Sequence, residues 1–261
     1  MSGKVRIGLL QYPLVPDFQK NLSLVFRLLK KIARQKPQLI VLPEMWLGAP
    51  QLPSERKAWS LSYQSAFTQL KKWCRDYQIA CYFSQLEKSG NRFYNTAYFI
   101  ERDGSLAGRY RKIHLFSLGN ETKIYSAGKN AKPFKTKMGK VGGVICYDIR
   151  FPELIRHLAI QGVSLLLVSA QWPKVRREHW LTLLRARAIE NQIFVVGVNR
   201  LGQKGKIQFG GDSVVFGPWG DTLLHLDSKK QMGICDINFS DVQKIRKQYP
   251  FFSTVRRVYG I

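Results

Sequence analysis

Gly142-Gly143-Val144-Ile145-Cys146-Tyr147-Asp148-Ile149-Arg150-Phe151-Pro152-Glu153 is the stretch from which the rest of the chain can be read. Val141 to Ile145 has the apolar run of a short buried strand, and Phe151-Pro152-Glu153 has the form of a helix start. Cys146 therefore falls on the turn between them. A side chain on such a turn stands clear of the sheet, and the peptide N–H groups that open the next helix favour negative charge in front of it. The alternative is a small buried apolar residue, which is what most free cysteines are. A base and a cation elsewhere in the chain would decide between the two.

The 261 residues, 45% hydrophobic and 12% aromatic, are read as one domain spanning 1–261, with 249–261 as a C-terminal tail. That composition excludes a disordered or fibrous chain. No run approaches the roughly 18 apolar residues of a membrane span, and Met1-Ser2-Gly3-Lys4 leads into a strand without a signal-peptide layout. The expected compartment is the cytoplasm. Cys74, Cys81, Cys146 and Cys235 show neither a C-x-x-C pair nor metal spacing, so reduced thiols and no metal are expected. The net charge of +25 is spread over nearly every segment instead of one arm. Such a surface supports only non-specific contact with nucleic acid.

On either side of the central stretch, short apolar runs alternate with helical periodicity. Val5 to Leu10 is a strand, Asp17 caps a helix to about Gln35, and Leu39-Ile40-Val41-Leu42 is a buried strand running into Pro43-Glu44. A second helix is expected from about Ser54 to Tyr77, broken near Ser60 to Ser62. Strands at Ile79 to Leu86, Phe93 to Ile100 and Ser105 to Arg111 form an antiparallel meander. An irregular segment, Ser117 to Lys140, joins Arg111-Lys112 to the Cys146 strand; its length favours a functional loop. A helix to about Gln161, a strand Val163 to Ser169 leading to Gln171-Trp172-Pro173, a helix Glu178 to Glu190 and a strand Ile193 to Val198 follow. Gly210 to Phe216, Thr222 to Leu226 and Met232 to Ile237 are further strands, and Ser240 caps a last helix ending near Gln248. The apolar tail, with Pro250, Phe251, Phe252, Val255, Val258 and Tyr259, is packed on its own domain or used by a partner subunit. Mixed sheets with helices outside are the expected α/β architecture.

Glu44, Lys112 and Cys146 close three separate strands, so neighbouring strands would bring them to one sheet edge. Acyl transfer has a use for each residue type. A thiolate attacks, a carboxylate can take and return the proton, and an ammonium with the Tyr147 N–H can stabilise the oxyanion. One such donor is typically worth about 3 kcal/mol. His114 is a rival base in a Cys-His pair, with His157, His179 and His225 also available, and spacing does not exclude it. Arg150, four residues beyond Cys146, suits either a substrate carboxylate or a salt bridge to Asp148 or Glu153.

Leu42-Pro43-Glu44-Met45-Trp46, Tyr110-Arg111-Lys112-Ile113-His114-Leu115-Phe116 and Ile145-Cys146-Tyr147-Asp148-Ile149-Arg150-Phe151-Pro152-Glu153 resemble the three signature motifs of the nitrilase (carbon-nitrogen hydrolase) superfamily, in the family's order. His179-Trp180 and Arg185 to Gln192 are also similar to family members. The resemblance implies a four-layer α-β-β-α sandwich, with Glu44 as general base, Lys112 as oxyanion stabiliser and Cys146 as nucleophile. It implies no metal or organic cofactor. Glu121 matches the second glutamate common in the family, although Ser117-Leu118-Gly119-Asn120 departs from the more acidic loop of many relatives. The residues around Cys146 and Lys112 look most like the ω-amidase branch, whose members hydrolyse the terminal amide of 2-oxo acid amides such as 2-oxoglutaramate. An anionic amide held by Tyr147, Arg150 and Trp172 is the expected substrate. Other amides, N-carbamoyl compounds and nitriles are the alternatives within the fold, and a silent nucleic-acid-binding protein is the alternative outside enzymes. A homodimer or larger homo-oligomer is implied, with Arg185 to Asn191 and the tail as contact candidates.

Overall fold

A computed structural model describes residues 3–254, and the tail residues Val255, Val258 and Tyr259 lie outside them. The first sheet is built from β1 (Lys4–Leu10), β2 (Leu39–Val41), β3 (Ala80–Ser89), β4 (Arg92–Ile100) and β5 (Leu106–Arg111). The second takes β6 (Phe134–Thr136), β7 (Gly139–Ile145), β8 (Leu165–Ala170) and β9 (Phe194–Asn199). A two-stranded hairpin, β10 (Leu201–Lys204) and β11 (Ile207–Gly210), precedes β12 (Ser213–Phe216) and β13 (Thr222–Leu226), which complete the second sheet. Finally β14 (Met232–Asn238) returns to the first sheet, antiparallel to β1. The sheet orders are β14-β1-β2-β3-β4-β5 and β13-β12-β9-β8-β7-β6.

The sheets pack face to face. Inward residues such as Leu9, Tyr82 and Phe99 of the first meet Val144, Leu165 and Val196 of the second in one core cluster. The Tyr82 hydroxyl crosses the interface to donate to the Val144 carbonyl at 2.9 Å. Each fully buried Leu, Val or Phe there contributes about 1.5–3 kcal/mol relative to exposure.

Helices cover both outer faces. On the first sheet α1 (Phe18–Ala33) buries Val25, Leu28, Leu29 and Ile32, spaced at three and four residues. Asp17 caps it by accepting from the Lys20 N–H at 3.0 Å, and Lys30 and Lys31 face the negative end of its dipole. Beside it runs α2 (Arg56–Tyr77), an unbroken helix after a 3-10 turn at Pro53–Glu55. The expected break near Ser60 to Ser62 is absent because Ser60 and Tyr63 are both buried within the helix's packed face. On the second sheet lie α4 (Pro152–Ile160) and α5 (Arg177–Asn191), with a single turn, α3 (Glu121–Ile124), inside the long loop, and α6 (Ser240–Gln248) near the end. The α-β-β-α sandwich is therefore present.

Three local readings change. The segment Ser117 to Lys140 is not wholly irregular, since it holds α3 and β6. Gly210 to Phe216 is two strands, because Gly211 (φ 74°) and Asp212 (φ 56°) turn the chain between β11 and β12. Ser240 is the first residue of α6 and not its cap; its N–H donates to the Asn238 side chain at 3.1 Å. The start of the tail packs on its own domain, with the Tyr249 ring 4.7 Å from Trp219 and Phe252 beneath Arg156 and Arg246.

Candidate active site

A cavity of about 620 Å³ opens at the ends of β2, β5, β7 and β8, and Glu44, Lys112, Glu121 and Cys146 all line it. Glu44 follows β2 on a segment clamped between the sheets. The Leu42 carbonyl accepts from the Ser169 hydroxyl at 2.7 Å, and the Met45 N–H donates to the Ser84 hydroxyl at 2.9 Å. Three donors orient the Glu44 carboxylate: Lys112 Nζ at 2.9 Å and Asn95 Nδ2 at 2.8 Å on Oε1, and the Gln171 N–H at 2.9 Å on Oε2.

Lys112 is one residue beyond β5 and only 1% exposed. Its ammonium donates to Glu44 and also to Glu121 Oε1 at 2.8 Å. The other Glu121 oxygen accepts from the Phe116 N–H at 2.8 Å, which fixes the loop that carries it. Burial by itself lowers an ammonium pKa. Here the charges of Glu121 and Glu44 outweigh it and hold Lys112 well above its ordinary value. The Lys112 carbonyl accepts from the Gly128 N–H at 2.8 Å, and a Cβ at Gly128 would stand 2.1 Å from the Arg111 carbonyl oxygen. Only glycine lets the loop lie this close to the lysine's strand.

Cys146 has φ 48°, a left-handed conformation that costs a non-glycine residue about 1 kcal/mol or more. The buried carboxylate of Asp148 holds the turn. Its Oδ2 accepts from the Ile145 N–H at 3.0 Å and the Tyr110 hydroxyl at 2.8 Å, and its Oδ1 accepts from the His114 N–H at 3.0 Å. Desolvation first, and the Glu44 charge second, push the Cys146 thiol well above its ordinary pKa, against a smaller opposing effect of Lys112. Its side chain is nonetheless partly exposed to the cavity.

The histidine alternative fails on geometry. His114 does not line the cavity; its Nδ1 is 2.9 Å from Asp148, and its ring stacks on Phe151 at 3.6 Å. His157, His179 and His225 are also outside the lining. Arg150 makes no ion pair with Asp148 or Glu153 among the described residues. Its guanidinium lies 4.8 Å from the Trp172 ring and 5.9 Å from that of Tyr147, all three on the cavity wall. Among the described residues no group of His, Cys, Asp or Glu is arranged to hold a metal ion, and no helix is long and apolar enough to cross a membrane.

Sequence reasoning missed Asn95, Gln171 and Asp148 as the groups that orient Glu44 and Cys146. Asn95 carried a signal, a polar residue in the middle of the apolar strand Phe93 to Ile100. The hairpin over the cavity was also missed.

The sequence profile described as carbon-nitrogen hydrolase matches residues 6–247. The chain belongs to the carbon-nitrogen hydrolase family. It is 32% identical over 256 residues to a hydrolase in the agr operon of Staphylococcus aureus, covering 97% of this chain and 98% of that one. To the 2-oxoglutaramate amidase of Bacillus subtilis it is 34% identical over 220 residues, 84% of this chain and 85% of that one. Among solved structures, a carbon-nitrogen hydrolase from Helicobacter pylori superposes with a TM-score of 0.93 at 24% identity over 98% and 97% of the two chains, which supports the fold. A Nesterenkonia amidase variant matches with a TM-score of 0.83 at 26% identity, over 96% and 97% of the chains, and carries the acetamide moiety of fluoroacetamide on its active-site cysteine. As a carbon-nitrogen hydrolase, this chain thus shares with that amidase both the fold and a family whose members include a cysteine enzyme.

Proposed function

We propose that this hydrolase cleaves the terminal amide of short 2-oxo dicarboxylic acid monoamides of the 2-oxoglutaramate type, through a thioester on Cys146. The observation that carries the reading is the Lys112 ammonium, bonded to Glu44 and Glu121 in the cavity that Cys146 lines. The names of the B. subtilis relative and of a Xenopus tropicalis omega-amidase, 30% identical over 95% of this chain, support the substrate class.

The Cys146 sulfur attacks the amide carbon as its proton passes to Glu44, forming the C–S bond and a tetrahedral oxyanion. A thiol with a raised pKa makes this proton transfer part of the attack instead of a prior ionisation. The fixed Lys112 ammonium, with the Tyr147 N–H, stabilises the oxyanion. Glu44 then gives the proton to the amide nitrogen as the C–N bond breaks, and ammonia leaves. Water attacks the thioester, Glu44 takes its proton, the C–S bond breaks, and the proton returns to sulfur. Glu121 shares the lysine and keeps it aimed. Arg150, flanked by Tyr147 and Trp172, holds the far carboxylate. Exposed Ile189 on α5 and exposed Trp219 support an interface in a homodimer.

Ammonia release from 2-oxoglutaramate, an aliphatic nitrile and an N-carbamoyl amino acid tests the reading. Preference for the first is expected. Faster release from either of the others would overturn it.

A further inference from the structure

One carboxylate needs one cation, and Arg150 supplies it. Arg176, Lys204 and Lys206 nevertheless line the same cavity. None of these four cations is in an ion pair among the described residues. The cavity's own carboxylates, Glu44 and Glu121, are both committed to Lys112. Positive charge is therefore in surplus, and it lies on one wall. Trp172, under Arg150, donates its ring N–H to the Arg176 carbonyl at 2.7 Å, and its neighbour Pro173 bridges to Phe209 of β11.

The hairpin that carries the two lysines is firmly rooted. Its two-residue turn, Gly205-Lys206, opens on a glycine with φ 55°. At its base the Leu201 N–H donates to the Tyr12 carbonyl at 3.0 Å. The buried Arg200 guanidinium lies 4.6 Å from the Phe209 ring, donates to the Leu201 carbonyl at 3.1 Å and reaches Gln171 Oε1 at 3.3 Å. Gln171 is the residue whose backbone and side-chain N–H groups hold Glu44. The tip itself is exposed, so its lysines stand at the mouth of the cavity on a fixed support. Desolvation at that mouth first, and the Arg200 charge second, lower the Lys204 pKa even though the residue as a whole is exposed. An arriving anion favours the charged ammonium and so opposes both effects.

Size points the same way. A cavity of about 620 Å³ is several times what a five-carbon amide fills and lies in the range that takes a drug-sized ligand.

We infer that Lys204 and Lys206, with Arg176, form a second anion subsite, so that a monoamide carrying two carboxylates, one on Arg150 and the other at the hairpin tip, is bound more tightly as a substrate than one carrying a single carboxylate. The subsite stands on geometry and charge; calling its occupant a substrate rests on the amidase reading.

Titration calorimetry on Cys146→Ala, which removes the nucleophile, tests the subsite without turnover. N-succinyl-L-glutamine, with two carboxylates, is compared with N-valeryl-L-glutamine, of similar length and with one. The dianion is expected to bind about tenfold more tightly, as one charge-assisted contact allows. Adding Lys204→Gln and Lys206→Gln should bring the ratio to about one, whereas adding Lys30→Gln and Lys31→Gln on distant α1 should leave it near tenfold. Equal affinities, no binding of either compound, a preference that survives at the hairpin, or one lost equally on α1 each overturns the subsite. Turnover of 2-oxoglutaramate by the unsubstituted enzyme is measured alongside. Its absence with the preference intact removes only the amidase reading, and its presence without the preference removes only the subsite.

Discussion

Tyr110 donates its hydroxyl hydrogen to Oδ2 of Asp148 at 2.8 Å, and through that bond the strand delivering Lys112 is tied to the turn presenting Cys146. The same hydroxyl accepts the Ile113 N–H at 3.1 Å, so the link fixes backbone on both sides of the lysine. Asp148→Asn is expected to turn one of the four bonded contacts into a clash of donors. A loss of about 2 kcal/mol in stability, read by denaturant unfolding, should accompany a fall in kcat larger than any rise in KM. Unchanged kcat in a folded variant would remove Asp148 as a positioning residue.

Cys146→Ala should remove turnover, by about 10⁴-fold or more, while leaving the melting temperature close to that of the parent. Mass spectrometry of the parent stopped during turnover should show an acyl adduct on this residue and not on Cys74, Cys81 or Cys235, which are buried. Near-normal ammonia release from the alanine variant contradicts the thioester route.

The two glutamates on Lys112 should differ. Glu44→Gln keeps the shape but cannot carry a proton, so a kcat loss of about 10³-fold or more is expected. Glu121→Gln leaves Lys112 bonded to Glu44 and should cost about tenfold to a hundredfold. Steady-state kinetics of both variants checks the order, and equal losses would assign Glu121 to proton transfer as well.

The raised thiol pKa sets the pH dependence of chemical modification. A thiol ordinarily titrates near 9.0, and Cys146 is pushed above that, so at pH 7–8 it is protonated in the resting enzyme. Alkylation by iodoacetamide should be slower than that of free cysteine and should rise about tenfold per pH unit through pH 9 with no plateau below it. A plateau under pH 8 would indicate a preformed thiolate.

Arg150→Ala should raise KM for 2-oxoglutaramate by about tenfold to a hundredfold with a smaller effect on kcat, because a carboxylate remote from the reacting bond loses its partner. Arg150→Lys should recover only part, since a point charge lacks the planar fork. The check is the KM-to-kcat split with 2-oxoglutaramate against a neutral aliphatic amide, which should be indifferent to both changes.

How much of this was legible in the sequence depended on scale. Buried strands announced themselves by apolar runs, and Glu44, Lys112 and Cys146 each sat where such a run stopped, so their convergence followed once the strands were neighbours. Helix ends were readable where a side chain caps the backbone, as at Asp17, and misread where tertiary packing overrides local preference, as at Ser60. The clamps on the site were not legible, because Asn95, Gln171 and Asp148 act through partners up to 127 residues away and no local spacing marks such a pair. The β10–β11 hairpin escaped for a different reason: Gly202 to Gln208 is exposed and polar, so it lacks the alternation that betrays a half-buried strand.

Glu44 and Lys112 leave from one sheet and Cys146 from the other, with the Tyr82 to Val144 bond and the shared core holding the two together. Either sheet alone, however well formed, would own only part of the chemistry. In the proposed mechanism catalysis is thus a gauge of how the halves are docked: slippage along their seam is expected to silence the enzyme before its secondary structure melts.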